Sequence, residues 1–157
     1  MKGFLTKYRH YGTSLSHPRW LNRNIVVANS ISLATVAIVV TLTVVHSISH
    51  PRDNLYLASL ITIASVLSVP FIHRTGNHQL ARTILTIGLV GGTLVLTIAR
   101  KMNTFDPVPM NTFYQSRAAL TVFCVIPYAI FNFSERKHLI LNLSICLICL
   151  LPLPIQL

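Results

Sequence analysis

Long uncharged apolar stretches, separated by short clusters of charge, constrain this chain more than any other feature. A bilayer core of about 30 Å is crossed by roughly 20 helical residues. Five stretches meet that ruler, as helices near 24–49, 54–72, 80–99, 114–134 and 138–157. All are rich in Leu, Ile and Val. Such β-branched residues lower helicity in water, but in lipid every backbone amide must be paired within its own segment, which leaves the helix. Only 10% of the 157 residues are charged, 13 basic and 3 acidic, against roughly a quarter in a soluble domain. Too few ionisable groups remain to cover a water-soluble surface. The expected fold class is all-α, an integral membrane helical bundle of about five transmembrane helices. A basic cytoplasmic segment, residues 1–23, precedes it.

The breaks between stretches fit the same reading. His50-Pro51-Arg52-Asp53 stops the first helix, and His73-Arg74-Thr75-Gly76-Asn77 is a tight turn. Residues 100–117 form a longer loop in which Asp106-Pro107 and Pro109 favour extended or turning backbone. Ser134-Glu135-Arg136-Lys137 is a short charged turn. Short turns make neighbouring helices antiparallel.

Orientation follows from where the cations fall. With the N-terminus inside, the inner segments hold nine: Lys2, Lys7, Arg9, Arg19, Arg23, Arg74, Arg82, Arg136 and Lys137. The outer segments hold four, Arg52, Arg100, Lys101 and Arg117. Retention of Lys and Arg on the cytoplasmic side favours this orientation. It also accounts for the net charge of +10 without a nucleic-acid partner. The first 23 residues are polar and the apolar run after them is too long for a signal-peptide core, so the first helix is expected to remain. The chain ends in Leu150-Leu151-Pro152-Leu153-Pro154-Ile155-Gln156-Leu157 with no charged anchor, which reads as a bundle cut short.

Few residues offer chemistry. His46 and His50 stand at i and i+4 near the outer end of the first helix, where two imidazoles share a face. With Asp106, Tyr114 and Arg117 they form the candidate ligand-sensing set, open to the outside between the first and fourth helices. Two histidines without a third ligand make no metal site, and His10, His17, His73, His78 and His138 read as interfacial residues among cations. Asn29 and Asn142 lie at a shared depth, and amides in hydrocarbon seek partners worth about 0.6–2 kcal/mol. They are the candidate interhelical polar pair, joining the first and fifth helices. Gly88, Gly91 and Gly92 allow close helix approach, and Pro127 should kink the fourth helix by removing a bond to Phe123. Cys124, Cys146 and Cys149 lie in apolar segments and read as packing residues rather than a disulfide framework. No nucleophile–base pair, phosphate loop or metal motif is present, so no catalytic residue, cofactor or metal is assigned and no enzyme activity is expected of this region.

Three stretches together resemble the six-helix, N-terminal membrane sensor region of bacterial histidine kinases and membrane-bound nucleotide cyclases. They are Arg23-Asn24-Ile25 with Asn29 at the first helix entry, Pro70-Phe71-Ile72-His73-Arg74 leading to Leu80-Ala81-Arg82, and Ile126-Pro127-Tyr128 leading to Glu135-Arg136-Lys137. The resemblance spans about residues 20 to 151. It implies a place in a bacterial inner membrane and a sixth helix that returns the chain to the cytoplasm and leads to a kinase or cyclase domain. This chain stops in the fifth. The expected function is a sensory or signal-transducing membrane module of a larger receptor, working by shifts in helix packing. Its expected partners are the lipid bilayer, a ligand on the outer side and, in a homodimer, a second copy. The alternative is a small transporter or channel subunit, with Ser30, Ser32, Thr35, Thr41 and Thr43 as its polar path. Against it, no ionisable residue is expected within the spans, and hydroxyls bond readily to their own helix.

Overall fold

The apolar stretches fold as helices, but not as five equivalent ones. The computed structural model describes residues 2–49, 55–103 and 110–150, and among these every regular element is helical. The helices are α1 (Lys2–Arg9), α2 (Arg19–Ser49), α3 (Leu55–Arg74), α4 (His78–Asn103), α5 (Met110–Phe123), α6 (Ile126–Ile130) and α7 (Arg136–Leu150). A 3₁₀ turn at Phe133–Glu135 joins the last two. Three segments, Arg19–Ile48, Tyr56–Arg74 and His78–Ile98, are long and apolar enough to cross a membrane. The region expected to hold the fourth and fifth spans is a bent pair, Ser116–Ile130 and Phe133–Leu150, turned by 109° at the break. Taken as one span it brings the total among the described residues to four; the fifth expected helix, near 138–157, runs beyond them.

The reason lies in local backbone chemistry. Pro127 has no N–H to give to Phe123. The helix stops one turn ahead of it, where the Val125 N–H donates to Val122 at 3.1 Å in a tighter turn. The chain resumes as the five-residue α6. Asn132 then starts a new turn: its side chain accepts from the Glu135 N–H while the Glu135 carboxylate accepts from the Asn132 N–H at 3.1 Å. The described part of α7 has 15 residues, about 22 Å of helix, which is short of a bilayer core. Residues 50–54, 104–109 and 151–157, with the expectations placed on those linkers and on the apolar end, lie outside the described residues.

Helix α4 is central. It packs along α3 and against α5 and α7, while α2 packs chiefly on α3. The α3–α4 seam is the tightest, and two of the three expected glycines make it so. A Cβ on Gly88 would stand 3.0 Å from Val66 Cγ2, and one on Gly92 would stand 2.5 Å from Thr62 Cγ2. Gly91 meets only its own helix, at Ile87. Ala28, Val66, Val69, Ala81, Leu85, Ile130 and Phe131 form the main apolar core. A smaller one joins Val90, Leu120 and Cys146, with Cys124 and Cys149 packed on it, so the cysteines fill space.

Polarity is turned inside out. Ile38, Leu42, Ile48, Leu60, Ile61, Val122, Ile140 and Ile148 are exposed, while Asn29, Ser32, His73, Arg82, Thr86 and Asn142 are buried. A soluble monomer seldom exposes so large an apolar surface. Helices of this length and exterior are compatible with residence in a membrane.

Candidate functional site at the basic end of the helices

Six buried polar residues, Asn29, Ser32, His73, Arg82, Thr86 and Asn142, gather toward the end where α2 begins, α3 ends, α4 begins and α7 begins, while Ser59, Thr62 and Thr97 lie farther along α3 and α4. The N-terminal segment, expected as a simple basic tail, is folded into this end. Gly12 takes φ +83°, and a Cβ there would stand 2.6 Å from the His73 carbonyl oxygen. Only glycine suits both the left-handed backbone and the close approach. The turn lays Tyr8, 5% exposed, into the core. Ser32 spends its one hydroxyl hydrogen on the Val66 carbonyl at 2.7 Å. The Tyr8 hydroxyl, 3.3 Å from Ser32 Oγ, must therefore be the donor in that pair. One hydroxyl chain thus joins α1, α2 and α3. Tyr11 packs edge-on to Phe71, with centroids 6.1 Å apart.

Asn29 completes this latch. Its amide nitrogen donates to the carbonyls of Arg9 at 3.1 Å and Tyr11 at 3.0 Å. These are carbonyls that the end of α1 leaves without helical partners. Nearer the surface, Asn22 and Ser14 exchange two hydrogen bonds: Asn22 Nδ2 donates to the Ser14 carbonyl at 2.7 Å and accepts from the Ser14 N–H at 3.1 Å. Arg9 Nε donates to Ser30 Oγ at 2.9 Å.

Burial pushes the Tyr8 phenol above its ordinary 10.0, and the Ser32 hydrogen bond only partly offsets this. A raised folded-state value means the phenol's contribution is whole below pH 10.0 and is lost as pH rises through the higher value. Docking of α1 should accordingly be flat across neutral pH and loosen under strong alkali, read as faster trypsin cleavage after Lys7 and Arg9. Tyr8→Phe removes one donor and leaves Ser32 bonded to Val66, so it should cost about 0.5–1.5 kcal/mol. Gly12→Ala should cost at least about 1–2 kcal/mol from the left-handed backbone alone, with cleavage accelerated to match.

The strongest contact lies deeper. Arg82 is fully buried in the second turn of α4. It makes a two-pronged ion pair with Glu135, Nη2 to Oε1 at 2.7 Å and Nη1 to Oε2 at 2.8 Å. Nη1 also donates to the Ile130 carbonyl at 2.7 Å, and Nε to the His78 carbonyl at 3.0 Å. The guanidinium lies over the Phe131 ring, 4.7 Å from its centre. Sequence alone counts Arg82 among loop cations and leaves the spans free of charge. The structure corrects both, because the cation sits within the apolar helix and is neutralised there.

Three histidines read as interfacial also come together. His73 is fully buried and stacks on His78 at 5.4 Å, and His17 meets His78 edge-on at 4.9 Å. His73 Nδ1 and His78 Nδ1 are 3.2 Å apart. One of the two must be protonated there and the other must accept. His73 Nε2 and His17 Nδ1 are buried without partners. Among the described residues no group of three His, Cys, Asp or Glu is placed to hold a metal ion.

The proposed amide pair is not formed. Asn142 donates to Thr83 Oγ1 at 3.3 Å and to the His138 carbonyl at 2.8 Å. The Oδ1 atoms of Asn29 and Asn142 are both buried without partners. Each amide met a nearer acceptor, Asn29 on the docked N-terminal segment and Asn142 across to α4. Of the outward-facing set, His50 and Asp106 lie outside the described residues. Tyr114 falls within α5, and His46 and Arg117 are half-buried on α2 and α5. Those two helices share no substantial contact, so the structure does not bring His46 and Arg117 into one site. No signal in hydropathy marks Arg82 or His73 as interior. The nearest hint is that Glu135 is the one acid in a basic turn. No protein family, curated protein or solved structure matches this chain.

Proposed function

We propose that the chain is a membrane-embedded sensory or signal-transducing module of a larger receptor, with its N-terminus in the cytoplasm. The observation that supports this best is the polar assembly at one end of the helices. It joins α1, α2 and α3 through Tyr8, Ser32 and Asn29, α3 to α4 through His73 and His78, and α4 to the turn before α7 through Arg82 and Glu135. Near the other end, Thr97 Oγ1 and Ser116 Oγ are 2.9 Å apart. A ligand or a change in bilayer state acting at that other end would shift helices whose far ends share one polar assembly. A two-state relay would require that assembly to have two discrete hydrogen-bonded arrangements. The likeness to six-helix sensor regions points the same way.

Transport has less support. Ser30, Thr41 and Thr43 of α2 donate to their own helix, at 2.6–2.9 Å, and Ser32 is taken by Val66. Hydroxyls so engaged line no polar path.

Two measurements test the proposal. A cysteine introduced as Leu15→Cys should react with an impermeant maleimide only after the cells are opened, and labelling of intact spheroplasts would reverse the orientation. The reading frame beyond Leu157 should continue into a sixth apolar helix and a kinase or cyclase sequence. A stop codon there, or ion flux in vesicles holding the purified chain, would overturn the sensor reading.

A further inference from the structure

Lys2, Lys7, Arg9, Arg19 and Arg23 stand in the first 23 residues, which contain no acid. Among the described residues the only acid is Glu135, and both its oxygens are held by Arg82. Among the described residues the positive charge of the N-terminal segment is therefore unanswered.

One of these cations, Arg23, lines an open groove of about 520 Å³ between the turn after α1 and the first turns of α2. His10 and Arg23 supply donors to the groove, and Leu15, Val26 and Val27 supply its apolar wall. A free phosphate has no use for such a wall, whereas a molecule with an anionic head and hydrocarbon behind it uses both. The wall also leads somewhere. Val26, Leu33, Ala37, Val40 and Val44 fall on one face of α2 by helical spacing, and Ala37, Val40 and Val44 on that face are exposed. Leu15 is fully exposed at the groove's edge, and Trp20 is exposed on the first turn of α2. Apolar and aromatic side chains so placed suit the boundary between headgroups and acyl chains.

The geometry points to a site for one anionic phospholipid. Its phosphate lies between Arg23 and His10, and an acyl chain runs along the Val26–Val44 face of α2. The inference rests on the membrane placement proposed above and adds the ligand class. Bound lipid would pin the N-terminal segment to α2 from outside, as Asn29 and Tyr8 do from within.

Trp20 is the only tryptophan, and it shares a helical face with Arg23 and Val27. The test uses the full chain in vesicles of unlabelled phosphatidylcholine, with a minor fraction of lipid brominated high on the acyl chain. Brominated phosphatidylglycerol should quench Trp20 at lower fractions than brominated phosphatidylcholine. Arg23→Gln should weaken that preference about five-fold, the scale expected for one cation at an anionic surface. Arg23→Lys should keep most of it, and unchanged quenching by phosphatidylcholine shows that the Gln variant is still folded and inserted. Equal quenching by the two lipids in the native chain would overturn the site while leaving the membrane reading intact. Loss of the preference on adding soluble glycerol phosphate would reassign the groove to a free anion and overturn it as well. No quenching by either lipid would mean that Trp20 is not at a bilayer, and both readings would fall.

Discussion

Arg82→Ala is expected to lower the stability of the purified protein by about 3–5 kcal/mol. The size of that loss comes from what stays behind. Glu135 would keep a charge in a site built around a cation, and the Ile130 carbonyl, 2.7 Å from Nη1, would lose its donor. The packing over Phe131 would go as well. Denaturant titration in detergent micelles, followed by Trp20 fluorescence, measures the effect. A lysine in place of Arg82 should recover only part of it, because a point charge on a flexible stem cannot pair two carboxylate oxygens in one plane. The double change Arg82→Leu with Glu135→Leu should cost less than Arg82→Ala alone, since removing both charges leaves neither unpaired. Equal costs for the single and double changes would show that the pair contributes shape rather than charge.

The second large effect belongs to the α3–α4 seam. Gly92→Leu should separate the two helices, since even the Cβ would sit 2.5 Å from Thr62 Cγ2 and 2.7 Å from Thr62 Oγ1. Thr62 cannot easily turn away, because its hydroxyl is spent on the Ala58 carbonyl at 2.9 Å. Overpacking in a close-packed interior costs about 1–3 kcal/mol, and a leucine should lie at or above the top of that range. Gly92→Ala should fall lower, and Thr62→Gly in the same chain should relieve much of it. Gly91→Ala is the control: its Cβ would meet only Ile87 Cγ2, at 4.0 Å, so its stability should match that of the native chain.

These two predictions differ in how readable their residues are. Gly88, Gly91 and Gly92 are legible together as small residues on an apolar helix, but which of them meet α3 is decided by packing. Pro127 is legible as a perturbation, since it lacks an N–H, yet Pro70 lies inside the continuous α3, so a break rather than a kink does not follow from the residue alone. The helices themselves follow from charge-free length. What hydropathy cannot convey is a charge that belongs inside. A cation at a helix end looks like a boundary marker, and Arg82 becomes an interior residue only through an acid 53 positions away. The N-terminal latch is illegible for a similar reason. Tyr8, Gly12 and Asn29 are ordinary residues in isolation, and their roles exist only once α1 has folded back. The same return of the chain gave Asn29 its partners and took it away from Asn142.

The Arg82–Glu135 pair also has a consequence for biosynthesis. The 53 positions from Arg82 on to Glu135 take roughly 3–10 s to translate at bacterial or eukaryotic rates. For that interval the start of α4 carries a cation whose partner has not yet been made. The nascent α3–α4 hairpin must wait at a depth where lipid phosphate or water can reach the guanidinium, and it settles only when the α6–α7 turn arrives. A ribosome stalled between residues 82 and 135 should therefore leave a hairpin that is readily extracted from the membrane or degraded. Release past Glu135 should end that vulnerability abruptly.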